Sequence, residues 1–236
     1  MKKTPIFIVF LLCSFALMAQ NTENSCWKIS YNYSHIKDTA RPNIVYKENM
    51  VLLTNKEKSL YLSEYEFKID STFNDNMAKV KAGITIDLPN EPIKFKYHTF
   101  ESLLFVQQES TLYSIKPWTG DKIVIEEIWP NTKWQLLDST QIIGGLTCYS
   151  AIGVVKGRTY TVWYCPDYPV SAGPWKIRGL PGLIVAATDA SKTISFQLQS
   201  INNISYPVGL PEKTTKLTLT EYEQLMDNFK KNPMGY

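Results

Sequence analysis

Four cysteines, two histidines and scattered carboxylates are the groups in this 236-residue chain that could do chemistry. A metal site needs clustered ligands. His35 and His98 lie far apart, and there is no Cys-x-x-Cys or His-x-x-x-His. Cys26 and His35 could meet at one end of a sheet, but their spacing reads as a buried thiol and a surface histidine. Nucleophilic catalysis needs a nucleophile, a base and an orienting group. No Gly-x-Ser-x-Gly occurs, and adjacent Glu126 and Glu127 would point to opposite faces of a strand. Gly179-x-x-Gly182 carries Pro181 and lacks a following Lys-Ser/Thr, so it is not a phosphate loop. Arg158 could bind an anion or pair with Asp167 or Asp189. What remains is cysteine pairing, and for that the elements around Cys148 and Cys165 must be read.

Ala151 to Val155 and Arg158 to Tyr164 are rich in β-branched and aromatic residues, with Lys156-Gly157 between them. This is a β-hairpin, and Gly157 supplies the positive φ of a tight primed turn. With a two-residue loop, Val155 faces Arg158, Val154 faces Thr159, and Cys148 lands opposite Cys165. An odd number of steps from the closing pair makes that a non-hydrogen-bonded pair, where side chains come closest. The spacing suits a Cys148–Cys165 disulfide. The segment that follows holds Pro166, Pro169, Pro174 and Pro181 with Gly173, Gly179 and Gly182, which forbid a helix or central strand. Trp175 and Ile177 sit between these breakers, so the loop is expected to fold onto a sheet.

Composition bounds the rest. Met1-Lys2-Lys3, an apolar run from Pro5 to Met18 and a small residue at Ala19 read as a secretory signal peptide, residues 1–19, cleaved near Ala19. Cys13 follows Leu12, which does not suit a lipid-acceptor site. Residues 20–236 then form a single β-rich domain, exported, soluble, and periplasmic or extracellular. The oxidising compartment favours disulfides, and three cysteines leave one over, so Cys26 is either a buried thiol, the favoured reading, or the true partner of one of the others. The formal charge is +3; removing Lys2 and Lys3 leaves 23 basic against 22 acidic residues, a balance of +1. That is no footprint for nucleic acid or an anionic membrane. No later stretch is long and apolar enough for a transmembrane segment.

Trp27 to Ser34 alternates as a half-buried strand. Ile44 to Tyr46, Met50 to Thr54 and Ser59 to Ser63 continue as strands. In Glu64 to Ala82, Tyr65, Phe67 and Ile69 keep a period of two, then Phe73, Met77 and Val80 recur at helical spacing, so a short helix or ordered loop is expected only later. Gly83 to Pro92 looks irregular and Ile93 to Tyr97 alternates. Phe100 to Gln107, Leu112 to Lys116, Lys122 to Ile128 and Lys133 to Leu137 form a meander separated by polar turns. Leu183 to Thr188 and Thr193 to Ser200 make another hairpin. Thr220 with Glu223 reads as a capping box for a C-terminal helix ended by Pro233. The fold expected is mainly β: an antiparallel meander forming a strongly curved sheet or half-barrel, with one or two helices, a closed barrel being the alternative. By pattern analogy the closing hairpin is similar to that of lipoprotein-carrier half-barrels.

Gly179-Leu180-Pro181-Gly182-Leu183-Ile184 spells GLPGLI, and the chain resembles the GLPGLI family of exported Bacteroidetes proteins. Gly144-Gly145, Lys156-Gly157-Arg158, Tyr160 to Tyr164, Gly173-Pro174-Trp175 and Lys58 to Tyr61 also resemble that family. Tyr168 departs from it, standing where an aliphatic residue is expected. The family implies no established activity. The residues themselves point to a non-catalytic binding module, without cofactor, for an apolar or peptidic ligand or an outer-membrane partner. Its candidate binding residues are Arg158, Tyr160, Trp175 and Gly179, Leu180, Pro181, Gly182, Leu183, Ile184; packing is the competing role for this loop. The alternative is an enzyme, a hydrolase or thiol-redox protein, with a dispersed site.

Overall fold

A computed structural model of the chain describes residues 25–83, 85, 99, 101–118, 121–129 and 132–232. The signal peptide, His98, the strand expected over Ile93 to Tyr97 and the stop at Pro233 lie outside the described residues. Twelve strands form one curved, open sheet: β1 Ser25–His35, β2 Tyr46–Thr54, β3 Lys58–Ser63, β4 Ser102–Val106, β5 Thr111–Trp118, β6 Asp121–Ile128, β7 Trp134–Ile143, β8 Leu146–Val155, β9 Arg158–Cys165, β10 Leu183–Asp189, β11 Ile194–Ser205 and β12 Thr214–Leu217. Their order is β12-β6-β5-β4-β3-β2-β1-β11-β10-β9-β8-β7. Every pairing is antiparallel except β12 on β6, a parallel contact that the sequence does not announce.

Alternation gives the sheet two apolar faces. One carries Ile29, Tyr31, Met50, Leu52, Tyr61, Leu103 and Phe105, and continues through Tyr160 and Val162 of β9. The 166–182 loop folds onto this face and buries Val170, Ala172, Ile177 and Leu180 against it. Tyr31 Oη fastens the far side by donating to the Ile184 carbonyl at 2.7 Å. The opposite face carries Val51, Leu53, Leu60, Leu62, Leu104 and Val124. It is covered by Phe67 and by Tyr206, Val208 and Leu210.

Phe67 belongs to helix α1, Glu64–Lys81, so the helix spans the whole segment, which corrects the expectation of a helix only in its later part. The Ser63 side chain accepts the Glu66 N–H at 3.0 Å, so the helix starts at once. Phe73, Met77 and Val80 do lie on that helix, but on exposed positions. Helix α2, Leu219–Lys231, starts two residues earlier than expected. Thr218 is its cap, and Glu221 Oε2 accepts the Thr218 N–H at 2.8 Å to complete the box. No helix among the described residues is long and apolar enough to cross a membrane.

The β8–β9 hairpin has the expected register, from Val155/Arg158 out to Tyr149/Tyr164. Its two turn residues, Lys156 and Gly157, have φ of 47° and 78°. Those positive angles are what a type I′ turn requires.

Candidate binding site

A pocket of about 350 Å3 opens on the loop-covered face, beside Trp175 of the 166–182 loop. Its aromatic wall comes from distant strands. β1 and β11 set Tyr33 opposite Phe196, and the two rings stack with centroids 5.0 Å apart. Tyr46 meets Tyr33 edge-on at 6.1 Å, a favoured aromatic geometry. Met50 from β2, Tyr61 from β3 and Tyr160 from β9 deepen the apolar lining. Trp175 comes from the loop, and His35, Arg158, Lys156, Glu101 and Thr99 supply the polar groups.

Trp175 is held in an unusual way. Its φ is 52°, in the left-handed region. For a bulky residue that conformation costs about 1 kcal/mol or more and persists only where the surroundings impose it. Here a turn imposes it: Ile177 N–H donates to the Pro174 carbonyl at 3.0 Å, and Ile177 itself is fully buried. The Trp175 ring is thereby presented, half-buried, between the pocket and the core.

Arg158 pairs with Asp189, Nη1 to Oδ2 at 3.1 Å, one of the two partners expected for it. Asp189 is buried, and burial pushes its carboxyl up. Hydrogen bonds from Ser191, the Ile194 N–H and Thr193 outweigh that and hold it below its ordinary value. Asp189 therefore stays anionic and orients the guanidinium, whose side chain is still half exposed. His35 Nδ1 lies 3.1 Å from Tyr33 Oη. Burial first, then Lys37 and Arg158, lower the His35 pKa. Burial pushes Tyr33 up to about 12, so it is a neutral phenol at physiological pH. The pocket thus offers flat apolar surfaces, neutral hydroxyls and an oriented guanidinium at its edge. Among the described residues no group of three or more His, Cys, Asp or Glu could hold a metal ion.

The residues expected to bind divide in two. Arg158, Tyr160 and Trp175 are brought together at the pocket. The GLPGLI stretch is not part of its lining. Leu180 is 3% exposed, Leu183 and Ile184 are fully buried, and Pro181 faces solvent. Gly179 packs beside Trp134, whose Nε1 donates to the Arg178 carbonyl at 2.8 Å. Gly182 lies against the β9 backbone, where an added Cβ would stand 2.5 Å from the Cys165 carbonyl oxygen. The motif packs one end of the core because only glycine admits that approach. Tyr168, the departure noted above, sits edge-on to Trp27 with centroids 5.6 Å apart. Tyr33, His35, Met50, Tyr61 and Phe196 escape sequence reasoning as site residues. Their only local signal is that each falls on the inward phase of its strand.

The register carried one step beyond Tyr149/Tyr164 sets Cys148 opposite Cys165, and Cys148 Sγ donates to the Leu146 carbonyl at 3.4 Å. The expected bridge is nevertheless absent: both are free thiols, as is Cys26. Burial is the leading cause that raises both thiol pKa values, Cys148 to about 11, which lowers the thiolate fraction available for exchange. Cys26 and His35 stand at opposite ends of β1, which removes their pairing. Glu126 and Glu127 point to opposite faces, as strand geometry requires; Glu127 accepts Lys176 at 3.0 Å and Lys156 at 3.2 Å, while Glu126 stands opposite Tyr113.

The model of a family described as "Protein of unknown function (Porph_ging)" matches residues 153–186, which run from the β8–β9 hairpin through the loop and GLPGLI into β10. A search of curated proteins returns no match. Two solved structures of PNGF-II are similar in fold. One gives a TM-score of 0.58 at 17% identity over 85% of this chain and 33% of that one. The other gives 0.59 at 16% identity over 86% of this chain and 32% of that one. The chain thus spans about a third of the length of PNGF-II.

Proposed function

We propose that this protein is a non-catalytic binding module, exported to the cell envelope, that holds an apolar or peptidic ligand in the pocket between Trp175, Tyr33 and Phe196. The observation that carries this is Trp175 itself. A tryptophan kept in a costly backbone conformation, with its ring at the mouth of an aromatic pocket, spends stability to present a surface. The pocket's 350 Å3 falls within the range of small-ligand sites, about 300–1,000 Å3, and its few convergent polar groups fit that class. Arg158 is placed to bond a carbonyl or carboxylate at the ligand's edge, since Asp189 takes one arm of its fork and leaves the others. The fold, shared with part of PNGF-II, is compatible with a binding role but does not specify one.

Titration with the fluorescent apolar probe N-phenylnaphthylamine tests this reading. The wild type is expected to enhance its emission saturably, with competition from apolar peptides. Trp175→Gly removes the ring and relieves the φ strain together, so it is expected to weaken probe binding at least tenfold while costing less stability than Trp175→Ala. Equal binding by wild type and Trp175→Gly would remove the pocket from consideration.

A further inference from the structure

Adjoining the aromatic pocket, and sharing Tyr61 and Trp175 with it, lies a second and much smaller cavity. It has about 10 Å3 of room, the space of one water-sized occupant. Its wall holds an unbalanced charge. Arg178 is 8% exposed, and its guanidinium rests on the face of Phe105, 3.0 Å from the ring centroid. Nη2 donates to Gln107 Oε1 and to the Ser171 carbonyl, both uncharged acceptors. No carboxylate among the described residues pairs with it, and burial alone lowers its pKa to about 9. A buried cation without a counter-charge is costly and is rarely left so.

The same cavity is lined by Trp129, which is 7% exposed. Its Nε1 is the one buried side-chain nitrogen or oxygen among the described residues with no hydrogen-bond partner. Lys176 also lines it, and shares Glu127 with Lys156. Lys156 and Lys176 both stand over the Trp129 ring, at 4.5 and 5.2 Å. This corner therefore sets Lys156, Lys176 and Arg178 against the single carboxylate of Glu127.

We infer that the cavity is a binding site for one small monatomic anion, chloride in physiological media, held by Trp129 Nε1 and the Arg178 guanidinium. Both groups can only donate hydrogen bonds. A water molecule there would accept from them and could donate to the Ser59 and Tyr61 oxygens, but it would leave the guanidinium charge unbalanced. A halide accepts from every side and neutralises the guanidinium through charge-assisted bonds. The Ser59 and Tyr61 hydroxyls, which also line the cavity, can turn their hydrogens toward it. This site is independent of the ligand proposed for the outer pocket.

Crystals of the protein soaked in sodium bromide, with data collected at the bromine absorption edge, test this directly. An anomalous peak in the cavity within hydrogen-bond reach of Trp129 Nε1 is expected, and none there in Trp129→Phe, a variant that keeps an aromatic ring and removes the N–H donor. In solution, Tm of the wild type is expected to rise with sodium chloride above its value in sodium gluconate of equal ionic strength, gluconate being too large to enter. That difference should vanish in Trp129→Phe and in Arg178→Met. A bromide-soaked wild-type crystal with water or nothing in the cavity, or a Tm equal in the two salts, would overturn the assignment.

Discussion

Asp189 illustrates how one side chain sets the chemistry of the pocket edge. It accepts from Arg158, Ser191, Thr193 and the Ile194 N–H, and so fixes the start of β11 and the direction of the guanidinium together. Its folded pKa lies below that of the unfolded chain. Its stabilisation is then complete above the unfolded value, about 4, and is lost as pH falls through the folded one. Urea unfolding at several pH values should show Asp189→Asn less stable than wild type at pH 7, with the gap closing below about pH 4. A gap independent of pH would mean that the carboxylate charge contributes nothing. The facing thiols make a second prediction at this scale. Diamide, which takes up the two hydrogens, should link Cys148 to Cys165 slowly and leave Cys26 unlinked in the peptide map. A Cys26 adduct in place of that link would contradict the hairpin register.

At the scale of elements, the 166–182 loop has two jobs done by different residues. Ile177 and Leu180 pack the core, whereas Trp175 reaches the pocket. Leu180→Ala should therefore cost about 2–5 kcal/mol of stability in denaturant unfolding and leave probe affinity close to wild type among the folded molecules. Loss of affinity without loss of stability would reverse the two roles. The β8–β9 hairpin was legible in the sequence because everything that defines it is local: period-two alternation and a Lys-Gly turn. The same locality misleads at 64–70, where Tyr65, Phe67 and Ile69 alternate by chance inside a helix. Ser63 followed by Glu66 was the better signal, since a cap overrides a short alternation. At α2 both Thr218/Glu221 and Thr220/Glu223 fit the capping pattern, and the sequence offers nothing to choose between them. β12 is only four residues, and its parallel pairing with β6 is a long-range contact that local pattern does not reveal.

Over the whole molecule, the candidate site is a product of topology. β1 returns beside β11, so Tyr33 meets Phe196 across most of the chain's length, and the loop then brings Trp175 to them. No spacing rule in the sequence contains that encounter, so Tyr33, Tyr61 and Phe196 lay beyond local reasoning, whereas Arg158, Tyr160 and Trp175 share one local stretch. The sheet remains open, with β12 and β7 at its edges. β7 exposes Leu136 and Ile142, and the ladder to β8 slips between Leu136 and Thr140, an irregularity of the kind that discourages edge-to-edge pairing. Native mass spectrometry of the protein recovered gently from its own cells tests the binding role most directly. A reproducible extra mass, released on unfolding and missing from Trp175→Gly prepared in the same way, is the predicted result. The bare polypeptide mass for wild type and variant alike would contradict it.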